Sequence, residues 1–305
     1  MTGSGLRQVV VAGGTGLVGR HLVPALLRAG ARVTVLTRRP GPAAGLPDGV
    51  RTCGWSQLAE ALAGADAVVN LCGEPVAGAR WSPTRKRRLE TSRLDPTGQL
   101  VAALARPGGP RVLLNASAVG LYGPRDQVPV TEATAPGRDF LAGLCQRWEA
   151  AGARAEGLGV RVVALRLGVV LARDGGALPR MALPVRLGLG CRLGHGRQGL
   201  SWIHVDDLVA MILQALVDPD WRGPVNATAP QPVSSAAFTR ALAGRLHWPV
   251  LPVPAWITAP ALGLLLGEMG RAMLLEGAYV LPARATRLGF RWRFPDLDSA
   301  LADLL

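Results

Sequence analysis

A chain of 305 residues with 49% hydrophobic and 18% charged residues holds enough apolar material for a large core, which excludes disorder and admits one large α/β domain or a domain with a smaller lobe. The net charge of +13 is almost wholly arginine, because Lys86 is the single lysine, and only Arg85-Lys86-Arg87-Arg88 forms a run. With no interleaved aromatics and no nucleic-acid motif, that run reads as a solvated helix face or the neighbour of an anionic ligand, and nucleic acid is not an expected partner.

The first half alternates strand and helix patterns, as a doubly wound parallel sheet requires. Residues 9–11 are an apolar first strand, and 17–28 carry helical apolar spacing (Leu17, Leu22, Leu26, Leu27) that stops at Gly30. A second strand spans 33–36, followed by a Pro/Gly loop through Gly49, a short strand near Val50 and a helix over 57–63. A strand over 67–71, a long helix over 83–105, a strand over 111–116, a helix over 140–156 and a strand over 160–167 complete the alternation. Beyond Leu171 the rhythm changes to Gly- and Pro-rich segments (174–200), then Trp202-Ile203-His204, a helix over 206–216, and helices over 234–246, 260–276 and 296–304. The expected architecture is an α/β doubly wound parallel Rossmann sheet with a smaller C-terminal α/β lobe covering the cleft. Residues 1–170 form the dinucleotide domain, part of 200–230 returns to it, and 171–305 form the smaller lobe.

Gly13-Gly14-Thr15-Gly16-Leu17-Val18-Gly19 stands between the first strand and the first helix. Gly13 permits the tight turn, Gly16 lets backbone approach a pyrophosphate, and Gly19 allows close helix–sheet contact, while the free amides at the helix start face the phosphates. An NAD-selective site needs a carboxylate at the end of the second strand, and no acidic residue precedes Asp48. Thr37-Arg38-Arg39 ends that strand instead, and a guanidinium fork suits a 2′-phosphate. The expected cofactor is therefore NADP(H), with Arg38 the nearer of the two arginines. Leu71, Cys72 and Gly73 end another strand on the same edge, where their backbone would line the adenosine.

Four cysteines (Cys53, Cys72, Cys145, Cys191) with no C-x-x-C pair read as reduced thiols, and no metal is expected. The most apolar stretch, 256–266, soon meets Glu268 and Arg271, and Gly13 and Gly16 interrupt the first apolar run. Neither a membrane span nor a signal peptide is expected, and the expected location is cytoplasmic.

In Gly13–Gly19, Asn70-Leu71-Cys72-Gly73-Glu74-Pro75, Thr91-Ser92-Arg93, Ala116-Ser117-Ala118, Arg147-Trp148-Glu149, Arg166-Leu167-Gly168-Val169 and Trp202-Ile203-His204-Val205-Asp206-Asp207, the sequence resembles the extended short-chain dehydrogenase/reductases. It is most similar to their epimerase-like NADP-binding branch with an extra C-terminal domain. The resemblance implies backbone contacts from Gly168 and Val169 to the nicotinamide amide, and a serine at Ser117 that binds the substrate oxygen. It also implies a Tyr-x-x-x-Lys acid/base pair, which this chain cannot supply. Four residues beyond Tyr122 and Tyr279 stand Asp126 and Ala283, and spacing back from Trp148-Glu149 puts the pair at Leu141 and Cys145.

Ser117 and Tyr122 are the expected catalytic side chains, Tyr122 as a surrogate acid. His204 and Asp206-Asp207 read as structural, with an aspartate capping the following helix, while Trp202, Gln198 and Arg197 are candidates to line the substrate cleft. The expected function is oxidoreductase or epimerase-like chemistry on a small carbonyl or hydroxyl substrate. The alternative is a non-catalytic NADP(H)-sensing module or scaffold, which the cell-division label of some relatives would suit. The expected partners are an unidentified small molecule and at most a second copy of the chain.

Overall fold

The computed structural model describes residues 6–41, 45–125 and 127–305. Asp126, which bears on the missing acid/base pair, lies outside the described residues. The alternating half contains β1 (Gln8–Ala12), α1 (Leu17–Arg28), β2 (Arg32–Leu36), β3 (Arg51–Cys53), α2 (Leu58–Leu62), β4 (Ala67–Asn70), α3 (Pro83–Leu104), β5 (Val112–Ala118), α4 (Phe140–Ala153) and β6 (Arg161–Leu167). The remainder contains β7 (Val169–Ala172), β8 (Gly175–Gly176), α5 (Leu178–Arg186), β9 (Gly199–Leu200), β10 (Trp202–His204), α6 (Val205–Val217), β11 (Gly223–Ala227), β12 (Val233–Ser234), α7 (Ser235–Arg245), α8 (Ala255–Gly270), α9 (Ala283–Arg287) and α10 (Leu297–Leu304).

Seven parallel strands form the main sheet in the order β11-β6-β5-β4-β1-β2-β3. Because both faces are covered, the central strands read as apolar runs rather than alternating ones. Val9, Val11, Val69, Leu114 and Val163 pack toward α1 and α6, and Val10, Val68, Leu113 and Val162 toward α2 and α3. The strand order reverses direction between β1 and β4, and in open α/β sheets ligands bind outside the carboxyl ends of the strands at such a point. The glycine turn leaves β1 there.

The smaller lobe has its own core of Leu171, Leu178, Val185, Trp202, Phe238, Leu242, Phe294, Leu301 and Leu304. The Gly/Pro-rich stretch over 174–200 holds α5 and two short strands, and Pro179 sits in the first turn of α5, where the missing N–H costs nothing. The helix expected over 260–276 starts earlier, breaks at Gly267 (φ +60°) and ends in a wide turn over Arg271–Leu275. Among the described residues no helix is long and apolar enough to cross a membrane.

The α6 cap differs from expectation. His204 is the N-cap, its Nδ1 accepting the amide of Asp206 at 3.1 Å. Asp207, thereby free of capping, is buried and accepts the amides of Arg293 (2.8 Å) and Phe294 (3.0 Å), which pins the C-terminal segment to α6. His204 is 1% exposed and stacks on Phe294 at 3.8 Å, while its Nε2 lies 3.3 Å from Asp303 Oδ2 without hydrogen-bond geometry. Burial pushes the imidazole below its ordinary value of 6.5, against the pull of Asp206 and Asp303.

With the folded value depressed, the unfolded chain binds the proton first as pH falls. The contribution of His204 is therefore present above about pH 6.5 and lost as pH drops through the folded value. Thermal unfolding across this range should show a decline on acidification that His204→Asn, which keeps a capping acceptor, makes shallower. An unchanged slope in that variant would remove His204 as its source.

Candidate cofactor and active site

The glycine turn is shaped by two close approaches. Gly13 has φ +79°, and a Cβ there would lie 2.8 Å from the carbonyl carbon of Leu71, so β1 can turn over the end of β4 only with glycine. A Cβ at Gly19 would meet the Gly14 oxygen at 2.4 Å, so α1 can press against its own turn. Gly16 caps α1 with no side-chain hydrogen bond and no acid in the first turn. The opening amides of α1 thus meet neither a capping side chain nor a carboxylate, the condition under which a helix start receives a phosphate.

Around this turn, the exposed or half-buried residues form a continuous edge. Thr15, Gly16, Leu17 and Val18 are followed by Arg38 and Arg39, both exposed at the end of β2, and by Leu71, Cys72 and Gly73 beyond β4. Buried Asn70 braces the last of these. Its Nδ2 donates to Thr97 Oγ1 (2.9 Å) and Asn115 Oδ1 (2.7 Å), and its Oδ1 accepts the Cys72 amide at 3.2 Å. Burial pushes the Cys72 thiol up to about 12, against the positive charge of Arg38. Of the two arginines, Arg38 is the one whose charge acts on the Cys72 thiol.

On the other side of the edge, Gly168 and Val169 follow β6. Their amides are already bonded, Gly168 to the carbonyl of Ala227 (3.0 Å) and Val169 to that of Ser201 (2.8 Å). What remains for a carboxamide is carbonyl oxygen and side-chain surface.

The two expected catalytic hydroxyls are placed differently from the expectation. Ser117 is 1% exposed and faces α4, where its Oγ–H donates to Glu149 Oε1 at 2.6 Å. Tyr122 is fully buried; its hydroxyl donates to Asn226 Oδ1 (2.6 Å) and accepts from Arg166 Nη1 (2.8 Å). The phenol expected as a surrogate acid is a core residue, its pKa raised by burial despite Arg166. Trp202 is likewise buried, with its indole N–H on the Gln231 carbonyl, instead of lining the cleft. Gln198 is buried, with its amide N–H groups on the carbonyls of Leu193 and Leu274, while Arg197 is exposed.

These hydroxyls belong to a polar cluster that the sequence reading did not single out. Arg166, paired in register with Ser117, sends Nε to Glu149 Oε1 and Nη2 to Oε2, both at 2.9 Å. Burial alone would favour loss of the Arg166 proton; the hydrogen bonds and charge of Glu149 outweigh it and raise the pKa. Cys145, one helical turn before Glu149, is 4% exposed, and burial followed by the Glu149 charge pushes its thiol up to about 11. One signal was available in the sequence: Arg166 follows four apolar residues (162–165) inside its strand, and a buried charge needs a partner. The identity of that partner was not available.

The basic run starts α3, where Arg85 pairs with Glu74 and Lys86 with Glu268 of α8 (2.8 and 2.7 Å). A depression of about 430 Å³ at the amino ends of β5 and β6, lined by Arg106, Arg111 and Val160 among others, holds no acid or nucleophile. Among the described residues no cluster could hold a metal ion.

A seven-stranded parallel sheet with a glycine turn at its switch point defines a nucleotide-binding Rossmann protein of the extended short-chain dehydrogenase type. The chain belongs to the NAD dependent epimerase/dehydratase family, whose profile matches residues 9–226, and residues 257–304 match a domain of unknown function (DUF1731). It is 39% identical over 308 residues to "Epimerase family protein SDR39U1 homolog, chloroplastic" of Arabidopsis thaliana, covering 97% of this chain and 86% of that one. It is also 39% identical over 298 residues to "Epimerase family protein MT2273" of Mycobacterium tuberculosis, covering 96% of each. The crystal structure of human epimerase family protein SDR39U1 with NADPH superposes with a TM-score of 0.88 at 34% identity, covering 97% of this chain and 98% of that one.

Replacing Glu149 by Gln strips the fork from a buried guanidinium. The expected cost is about 3 kcal/mol of unfolding free energy in urea, because an uncompensated buried charge remains. Adding Arg166→Met should restore a good part of it. A single variant within about 0.5 kcal/mol of the parent would refute the ion pair as a structural centre.

Proposed function

We propose that this chain is an NADP(H)-dependent oxidoreductase acting on a small carbonyl or hydroxyl compound. The observation that carries the reading is the uncapped start of α1 under the Gly13–Gly19 turn, with Arg38 exposed across the opening from Cys72. The opening amides of α1, Leu17 to Gly19, take the pyrophosphate under the glycine turn, Arg38 takes the 2′-phosphate with Arg39 beside it, and Leu71, Cys72 and Gly73 border the adenosine. Gly168 and Val169 border the nicotinamide. The human relative crystallised with NADPH supports the choice of nucleotide. Residues 1–170, with β11, act as the cofactor domain, and 171–305 supply the substrate side.

When bound, the dinucleotide supplies or accepts hydride. In this reading Ser117 and Tyr122 hold the sheet edge in shape and are not reacting groups. That same burial favours a second reading, a binding module that holds the nucleotide without turnover.

Thermal unfolding with NADPH, NADH or neither tests the cofactor. A ligand at a hundred times its dissociation constant adds about 2.7 kcal/mol, a shift of several degrees. NADPH should stabilise more than NADH, and Arg38→Glu should abolish the difference while leaving the unliganded midpoint nearly unchanged. No shift with either nucleotide would end the proposal. NADPH binding without consumption of any acceptor would select the second reading.

A further inference from the structure

Hydride delivered to an ordinary ketone or aldehyde leaves an alkoxide, so the transition state calls for a proton donor within hydrogen-bond reach of the oxygen. Among the described residues, the positions where the superfamily sets its acid/base pair hold no such donor. Leu141, at the spacing of the superfamily's tyrosine, is half-buried and packs against Gly120, where an added Cβ would lie 3.4 Å from its own. Cys145, at the spacing of the lysine, is buried with a thiol near 11. Ser117 gives its proton to Glu149, and Tyr122 gives its own to Asn226. Ala118, Val119, Gly168 and Val169, half-buried around the open end of β5 and β6, have no side-chain proton to give. The remaining phenol, Tyr279, stands on the segment between the lobes and donates to the Arg197 carbonyl at 2.8 Å.

From this arrangement we infer that the substrate is a quinone, a carbonyl acceptor that needs no proton from the protein when the hydride arrives. The inference rests on the NADP(H) reading above. The dihydronicotinamide C–H bond breaks and its electron pair moves with the hydrogen to the quinone. The nicotinamide is oxidised, and the quinone is reduced by two electrons to the hydroquinone monoanion. Its charge spreads over the ring, and its conjugate acid is phenol-like, with a pKa of about 10. Water then supplies the second proton after the barrier is crossed. A flat apolar ring also suits the half-buried apolar side chains Val119, Leu141 and Val169 at this end of the sheet.

The test follows NADPH consumption by the full chain with duroquinone, whose fully methylated ring takes no thiol adduct, and with cyclohexanone and benzaldehyde. The inference expects duroquinone to be preferred in kcat/KM by on the order of a hundredfold or more, the factor a missing general acid withholds from ordinary carbonyls. It also expects a rate flat from about pH 6 to about pH 9 and unchanged in Tyr279→Phe. Equal turnover of cyclohexanone or benzaldehyde, or loss of duroquinone turnover in Tyr279→Phe, would overturn it. So would NADPH binding, seen as thermal stabilisation, with no reduction of duroquinone, and that result leaves the cofactor reading standing. Absence of NADPH stabilisation removes both.

Discussion

The ion pair of Arg166 and Glu149 ties several elements of this molecule together. It joins β6 to α4 through two hydrogen bonds, draws in Ser117 on β5, and reaches Asn226 on β11 through the Tyr122 hydroxyl. Two charges taken out of water are tolerable only when each lone pair and proton finds a partner. The cluster goes far toward that condition by drawing on the hydroxyls of Ser117 and Tyr122. Asn226 extends it further, its amide donating to Glu132 and its side chain to the Leu281 carbonyl, so the seam between the lobes is tied to the same centre.

The cofactor edge is governed by backbone. Gly13 and Gly19 let three pieces of main chain approach to distances that a Cβ would forbid, and the start of α1 is left to face an anion. Side-chain charge is added at the end of β2, where Arg38 and Arg39 are exposed. The rigid centre and the backbone-built edge meet near Ala118 and Gly168, and that meeting place is apolar. Loss of the usual acid is thus coupled to the fold: the polar atoms of β5 and β6 are committed inward.

Much of the fold was legible because its signals are local. The strand–glycine turn–helix unit, the parallel rhythm of the first half and the arginine in place of a carboxylate after β2 each depend on a few adjacent residues. Element ends moved by one to three residues for most segments. The larger differences fell where long-range packing decides: α5 within a Gly/Pro-rich stretch, the break of α8 at Gly267, and the cap of α6. His204 could take the capping role because Asp207 was claimed by backbone 86 residues further on.

By itself the sequence determined the sheet class, the glycine turn, the arginines in place of a carboxylate after β2 and the absence of Tyr-x-x-x-Lys, since these follow from residue identity at short spacing. Only the tertiary structure decided that Ser117 and Tyr122 face inward. A strand presents alternate residues to opposite faces, and a hydroxyl's role depends on which groups the neighbouring elements bring to it. Glu149, Arg166 and Asn226 lie 17 and 60 residues apart along the chain, and no local pattern announces that their polar atoms must satisfy one another.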